Sequence, residues 1–314
     1  MRVLITGVHG FVGTNLVAYL KEANEIFGLD IVAPQRDGVI KTFSWEDLSK
    51  GNIPEVDAII HLAGKAHDTK NKSAAEAYFA VNTGLTKKIF DYFINSTACK
   101  FVFLSTAKAA ADRVDGVLTE DVTPTPVGSY GESKIRAEEY ILSKELPGGK
   151  DVYIFRPCMI HGPGNKGNLN LLYSVVRRGV PWPLGAFENR RTFTSIENMC
   201  YAVKGVLTLD VDSGIYNMGD DEALSTNELI EIICQILGKK ARIWRLPKGV
   251  MTAVARVGGF LHLPLNTERL QKLTENYVSS NAKIKDALGI SMFPVSSRDG
   301  LRRTLESFVD SSKF

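Results

Sequence analysis

The stretch VLITGVHGFVGTNLV, residues 3 to 17, restricts the fold more than any other part of the chain. An apolar run ends in three glycines, Gly7, Gly10 and Gly13, and passes at once into a helical pattern. A tight turn from strand to helix favours residues without a Cβ, and the free N–H groups at the helix start attract negative charge. The spacing is G-x-x-G-x-x-G, one residue longer in its first gap than the G-x-G-x-x-G dinucleotide fingerprint. The apolar runs that follow, EIFGLD at 25 to 30, DAIIHLA at 57 to 63, KFVFLS at 100 to 105 and DVYIFRP at 151 to 157, alternate with helical stretches at 74 to 94 and after Tyr130. Continuous apolar strands separated by helices predict an α/β fold, a Rossmann-like doubly wound parallel sheet covered on both faces.

After Pro157 the texture changes to HGPGNKGNLN and PWPLGAFENRR, then to further helical segments such as 226 to 237. This divides the chain into residues 1–160, a dinucleotide-binding domain, and 161–314, mainly a smaller C-terminal α/β substrate-binding domain. A segment near 190–217 is expected to return to the first. The cleft between them is the natural ligand site. With 38 basic and 35 acidic residues, a net charge of +3 gives no support for nucleic-acid binding and leaves room only for a local anionic ligand. Four widely spaced cysteines, without metal-ligand spacing, argue against both a disulfide framework and a metal site and fit a reducing cytoplasm. The most apolar later stretch, 250 to 265, contains Arg256 and His262 and is too short to span a bilayer, so a packed helix and loop are expected there.

Asp30 closes the second strand seventeen residues after Gly13. At that place a carboxylate accepts hydrogen bonds from the adenine ribose hydroxyls and repels a 2′-phosphate, which favours NAD over NADP. Arg36, nearby, keeps NADP open as the alternative. In SYGESK, residues 129 to 134, Tyr130 and Lys134 stand four residues apart on the stripe continued by Ala137 and Ile141. A lysine on an apolar stripe is costly unless its charge is used, and an ammonium beside a phenol lowers the phenol's pKa toward neutrality.

Upstream, FVFLSTAKAA brings Ser105 and Thr106 to the C-terminal edge of the predicted sheet. With GVHGFVG, HLAG at 61 to 64, Asn82 in AVNTGLT, YGESK, FRPCMIHGPG at 155 to 164, NRRTFTSIEN at 189 to 198 and DALGI at 286 to 290, the sequence resembles the extended short-chain dehydrogenase/reductase family, in its nucleotide-sugar epimerase and dehydratase branch. The resemblance runs over essentially the whole chain. It implies that Tyr130 is the acid/base, that Lys134 holds the nicotinamide ribose and lowers the tyrosine pKa, and that Thr106 holds the reacting oxygen. It further implies that NAD lies along Gly7, Gly10, Phe11, Val12, Gly13, Asp30, Leu62, Ala63, Gly64, Lys65, Asn82, Tyr130, Lys134 and Pro157. Asn168, Leu169 and Arg191 match positions that hold the diphosphate and uridine of a nucleotide sugar. His61 and His161 are assigned to packing. A homodimer through the helices at 74 to 94 and after Tyr130 is implied by the resemblance alone.

Dehydratases of this branch carry an Asp-Glu pair after the Ser/Thr, and this chain has Ala107 and Lys108 there. Without a carboxylic acid and a carboxylate the elimination has no acid and base. That leaves a UDP-sugar 4-epimerase working by transient C4 oxidation, with a UDP-4-keto-sugar reductase of surface polysaccharide synthesis as the alternative. A non-catalytic NAD-binding regulator is disfavoured by the intact Thr106, Tyr130 and Lys134 set.

Overall fold

The structure, a computed structural model, describes residues 1–66, 75–165, 167–260 and 266–311. In chain order its strands are β1 (Arg2–Thr6), β2 (Glu25–Leu29), β3 (Lys41–Phe43), β4 (Ala58–His61), β5 (Lys100–Leu104), β6 (Val117–Leu118), β7 (Asp151–Pro157), β8 (Met159–His161), β9 (Phe193–Ser195), β10 (Gly214–Met218) and β11 (Val278–Ser279). Seven of them form one sheet in the order β10-β7-β5-β4-β1-β2-β3. Every pairing in it is parallel, so each strand is regained by a crossover and both faces are covered. This is the doubly wound α/β sheet that the apolar runs predict. Strand order reverses direction between β1 and β4, and ligands of such sheets bind at the carboxyl ends on that line.

Two cores follow from the covering. On one face Val3, Ile5, Val102 and Phe155 pack with Leu16 and Val17 of the helix Phe11–Leu20 and with Met199 and Val203 of the helix Ile196–Thr208. On the other, Leu4, Ile59 and Phe101 pack with Phe90 and Phe93 of the helix Leu85–Asn95 and with Ala137 and Ile141 of the helix Gly128–Leu142. A third core joins Tyr173, Phe193, Ile233 and Leu305, drawn from the later part of the chain. The helix Ile196–Thr208 packs on the main sheet and β10 forms one of its edge strands, although both follow the β8–β9 pair in sequence.

Two helical stretches depart from expectation. The run at 74 to 94 is not one regular helix: Ala75–Tyr78 is followed by a wider π turn at Phe79–Gly84 before Leu85–Asn95, and residue 74 lies outside the described residues. Asn82, buried in that turn, accepts from Lys65 N at 2.7 Å and donates from Nδ2 to Lys65 O and Ser133 Oγ, so the extra residue in the turn positions a buried side chain. The stretch at 250 to 265 is a helix at Lys248–Phe260 that buries only Met251, Ala255 and Gly258, far from fully packed; residues 261–265 lie outside the described residues. All four cysteines are free, and no helix of the described residues is long and apolar enough to cross a membrane.

Candidate active site

The glycine turn leaves β1 and meets the end of β4. Gly7 has φ +68°, and a Cβ there would lie 2.9 Å from the backbone of Ala63. A Cβ on Gly13 would lie 2.4 Å from Gly7 O, inside contact distance. The two glycines therefore let the turn close against the β4 end and against itself. Gly10 caps the helix Phe11–Leu20 without any side-chain bond to its first amides. A bare turn feeding a helix start of this kind is an anion cradle, and it fits the diphosphate of a dinucleotide.

Asp30 is drawn to the same turn, where its carboxylate accepts from His9 N at 3.1 Å and Ile31 N at 2.7 Å. Arg36 meets the same turn, donating from Nε to His9 Nδ1 at 3.3 Å.

From the turn a cleft of about 760 Å³ runs along the sheet's carboxyl edge. Of the residues singled out in the sequence, it is lined by Gly7, Gly10, Phe11, Val12, Gly13, Leu62, Gly64, Ser105, Thr106, Ala107, Lys108, Tyr130, Lys134, Pro157 and Arg191. Asp30, Ala63, Lys65 and Asn82 are not part of that lining. Asn82 clamps Lys65 and Ser133, and Lys65 sits over the Tyr78 ring at 5.8 Å. The Leu169 side chain is buried in the third core, so only its backbone can meet a ligand. The side chain of Asn168 lies outside the described residues. His61 and His161 are both buried away from the cleft, bonded to Thr6 and Thr86 and to Thr304 respectively.

Tyr130 and Thr106 both line the cleft, with the Thr106 hydroxyl placed to favour the ionised form of the phenol. Burial raises the Tyr130 phenol above its ordinary value, and the Thr106 hydroxyl only partly opposes it. The Lys134 ammonium, expected to act on the phenol jointly with an oxidised nicotinamide, donates from Nζ to Leu104 O at 2.8 Å and lies 4.8 Å from the Phe103 ring centre. Burial lowers Lys134 to about 8, with the Glu138 charge opposing the fall. Such a shift corresponds to a burial penalty of about 3 kcal/mol. It is fully present below about pH 8 and falls away as the pH rises toward the ordinary lysine range. A fold tolerates such a group where its charge has work to do.

Behind Lys134 lies a buried ion pair. Arg156 donates to Glu138 from Nη2 at 2.6 Å and from Nε at 3.0 and 3.2 Å, and Ser105 Oγ donates to the same carboxylate. Ser105 lines the cleft as expected, but its hydroxyl is given to Glu138 behind the wall, which leaves the Thr106 hydroxyl beside Tyr130.

Cys158, directly after β7 and inside the FRPCMIHGPG run, also lines the cleft, and so do Glu275 and Tyr277, which return from the far end of the chain and which no local motif announces. Tyr277 N–H and C=O are bonded to Arg190 and Thr192, which seats Arg191 on the cleft between them. Only the pairing of residues 190–192 with 277–279 across some 85 positions brings them together.

Residues 3–219 match the family model described as "NAD dependent epimerase/dehydratase family". UDP-glucose 4-epimerase of Vibrio cholerae is 27% identical, over 99% of this chain and 96% of that protein. GDP-6-deoxy-D-mannose reductase of Pseudomonas aeruginosa is 26% identical, over 81% of this chain and 86% of that protein. Among solved structures, MoeE5 in complex with UDP-glucose and NAD superposes with a TM-score of 0.78 at 20% identity, covering 99% of this chain and all of that one.

Proposed function

This chain belongs to the NAD dependent epimerase/dehydratase family, and from that premise we propose that it is a UDP-sugar 4-epimerase. The observation that carries the reading is the Tyr130–Thr106 hydroxyl pair, facing a cleft that also holds the glycine turn and Arg191, with Ala107 and Lys108 where a dehydratase needs two carboxyl groups. The 27% identity to a UDP-glucose 4-epimerase over nearly the full length of both chains supports it.

A bound oxidised nicotinamide supplies the hydride acceptor and a positive charge beside the phenol. The glycine turn and the helix start at Phe11 hold its diphosphate, and Asp30 takes the adenine ribose. Tyr130, brought into its working range by that charge and by the Lys134 ammonium, removes the proton of the sugar C4 hydroxyl and later returns it. Thr106 orients the C4 oxygen between the two hydroxyls. Lys134 holds the nicotinamide ribose. Arg191, with Asn168 and the Leu169 backbone, binds the sugar's diphosphate, for which a guanidinium offers several fixed donors. The 4-keto sugar must present both faces in turn, which a cleft of about 760 Å³ has room for. A cytoplasmic homodimer belongs to the same reading.

Two expected outcomes separate the roles. Asp30→Ala should raise affinity for NADP relative to NAD by about tenfold, the loss expected for a charged hydrogen bond. Calorimetry on both nucleotides checks it, and equal affinity of the unaltered protein for both removes Asp30 from cofactor choice. Arg191→Ala should weaken UDP-sugar binding about tenfold or more and leave NAD binding nearly unchanged. Loss of both, or of neither, takes Arg191 out of the substrate site.

The reading itself is tested by the purified protein. Denaturation should release NAD, and the intact protein should interconvert UDP-glucose and UDP-galactose, or their N-acetyl forms, without added cofactor. Arg36 beside His9 favours the second reading, a 4-ketoreductase using NADPH. Consumption of one added reduced nicotinamide per 4-keto sugar, with no such interconversion, would establish it.

A further inference from the structure

From Ile232 to Thr267 the chain contains no acidic residue, in a protein where acids number 35 of 314. The same stretch carries Lys239, Lys240, Arg242, Arg245, Lys248 and Arg256, all exposed. None of the six lies within ion-pair distance of an acid among the described residues. Lys239 instead donates to Arg177 O, and Lys248 lies over the Phe187 ring.

The helix Lys248–Phe260 adds an apolar face to this charge. It is fixed to the body by Met251, Ala255 and Gly258, at i, i+4 and i+7. One position earlier on each turn stand Val250, Val254 and Val257, 51%, 48% and 56% exposed, and Phe260 continues the stripe at 85%. Arg256 falls beyond Phe260 on its other flank, while Lys248 opens the helix on the anchored side, over the Phe187 ring. Trp244, 54% exposed, sits on a short strand-like pairing with Trp182, just before the helix. The surface is therefore a row of aliphatic and aromatic side chains bordered by unopposed cations.

We propose that this face docks the protein on an anionic lipid surface. The helix lies along the membrane plane, Val254, Val257 and Phe260 enter the acyl boundary, and the flanking cations meet lipid phosphates. A second copy of the chain fits less well, since a symmetric contact through this face would set its cations against one another. Nucleic acid would use the cations but leaves the valine stripe without a partner. The inference is independent of which sugar the cleft takes.

Sedimentation of the full chain with vesicles tests it. The protein should travel with phosphatidylcholine vesicles containing phosphatidylglycerol, and not with phosphatidylcholine alone; raised salt should weaken the binding. Val254→Glu with Val257→Glu should reduce bound protein at least about fivefold, with the melting temperature and NAD binding unchanged. Arg245→Gln with Lys248→Gln, which leaves the stripe intact, should give a smaller loss that vanishes in high salt. No sedimentation, or equal sedimentation of the glutamate variant, overturns the proposal. So does a dimer on size exclusion, or retention of an oligonucleotide, that the glutamate variant abolishes while vesicle binding persists.

Discussion

Tyr130→Phe should lower turnover at least about a hundredfold, the loss expected when a general acid/base is removed. The substitution deletes one oxygen. The ring remains packed edge-on against Tyr78, with centroids 6.3 Å apart, so the wall of the cleft keeps its shape. What disappears is the hydroxyl beside Thr106 in the cleft lining, where the sugar hydroxyl must sit. Thermal melting and NAD binding should therefore match the unaltered protein while steady-state turnover collapses. Turnover within a few-fold of the unaltered protein would show that Tyr130 does not carry the proton.

Glu138→Ala should destabilise the protein by about 3–5 kcal/mol, because it leaves the Arg156 guanidinium buried without its counter-ion. Arg156 is 2% exposed and its Nη1 already finds no hydrogen-bond partner among the described residues. The melting temperature should fall on the order of 10 °C. Glu138→Leu combined with Arg156→Met should recover most of that loss, since both desolvation costs go together. Glu138 also raises the Lys134 pKa, so a single variant that still folds should move the alkaline limb of kcat/KM to lower pH. A melting temperature unchanged in Glu138→Ala would mean that the pair is reached by water.

What could be read from sequence was local. The glycine turn, the Tyr130–Lys134 spacing and the order of apolar runs each lie within one strand–helix unit, where periodicity and the absence of a Cβ act directly. Arg191's neighbours Glu275 and Tyr277 were not legible, because a backbone pairing between distant segments puts them on the cleft. Neither was the Ser105–Glu138–Arg156 cluster, whose members come from three elements and meet only once β5, β7 and the helix Gly128–Leu142 are packed. The surroundings of the Tyr130 phenol have a similar origin. Spacing shows that Lys134 is near, but not that its ammonium turns to Leu104 O or that burial outweighs it. Lys65 and Asn82 lie close to the predicted path of the cofactor, yet the π turn directs the Asn82 amide to Lys65 and Ser133. The exposure of the helix Lys248–Phe260 was hidden for the opposite reason: its composition is that of a packed helix.

The central claim is that one hydride leaves the sugar C4 and returns to it on the same protein. UDP-galactose labelled with deuterium at C4, given to the protein without added cofactor, tests this most directly. UDP-glucose should form with deuterium kept at C4, with no exchange into solvent and no net change in NAD. Loss of the label to solvent, or conversion only when a reduced nicotinamide is added and consumed one for one, would contradict it.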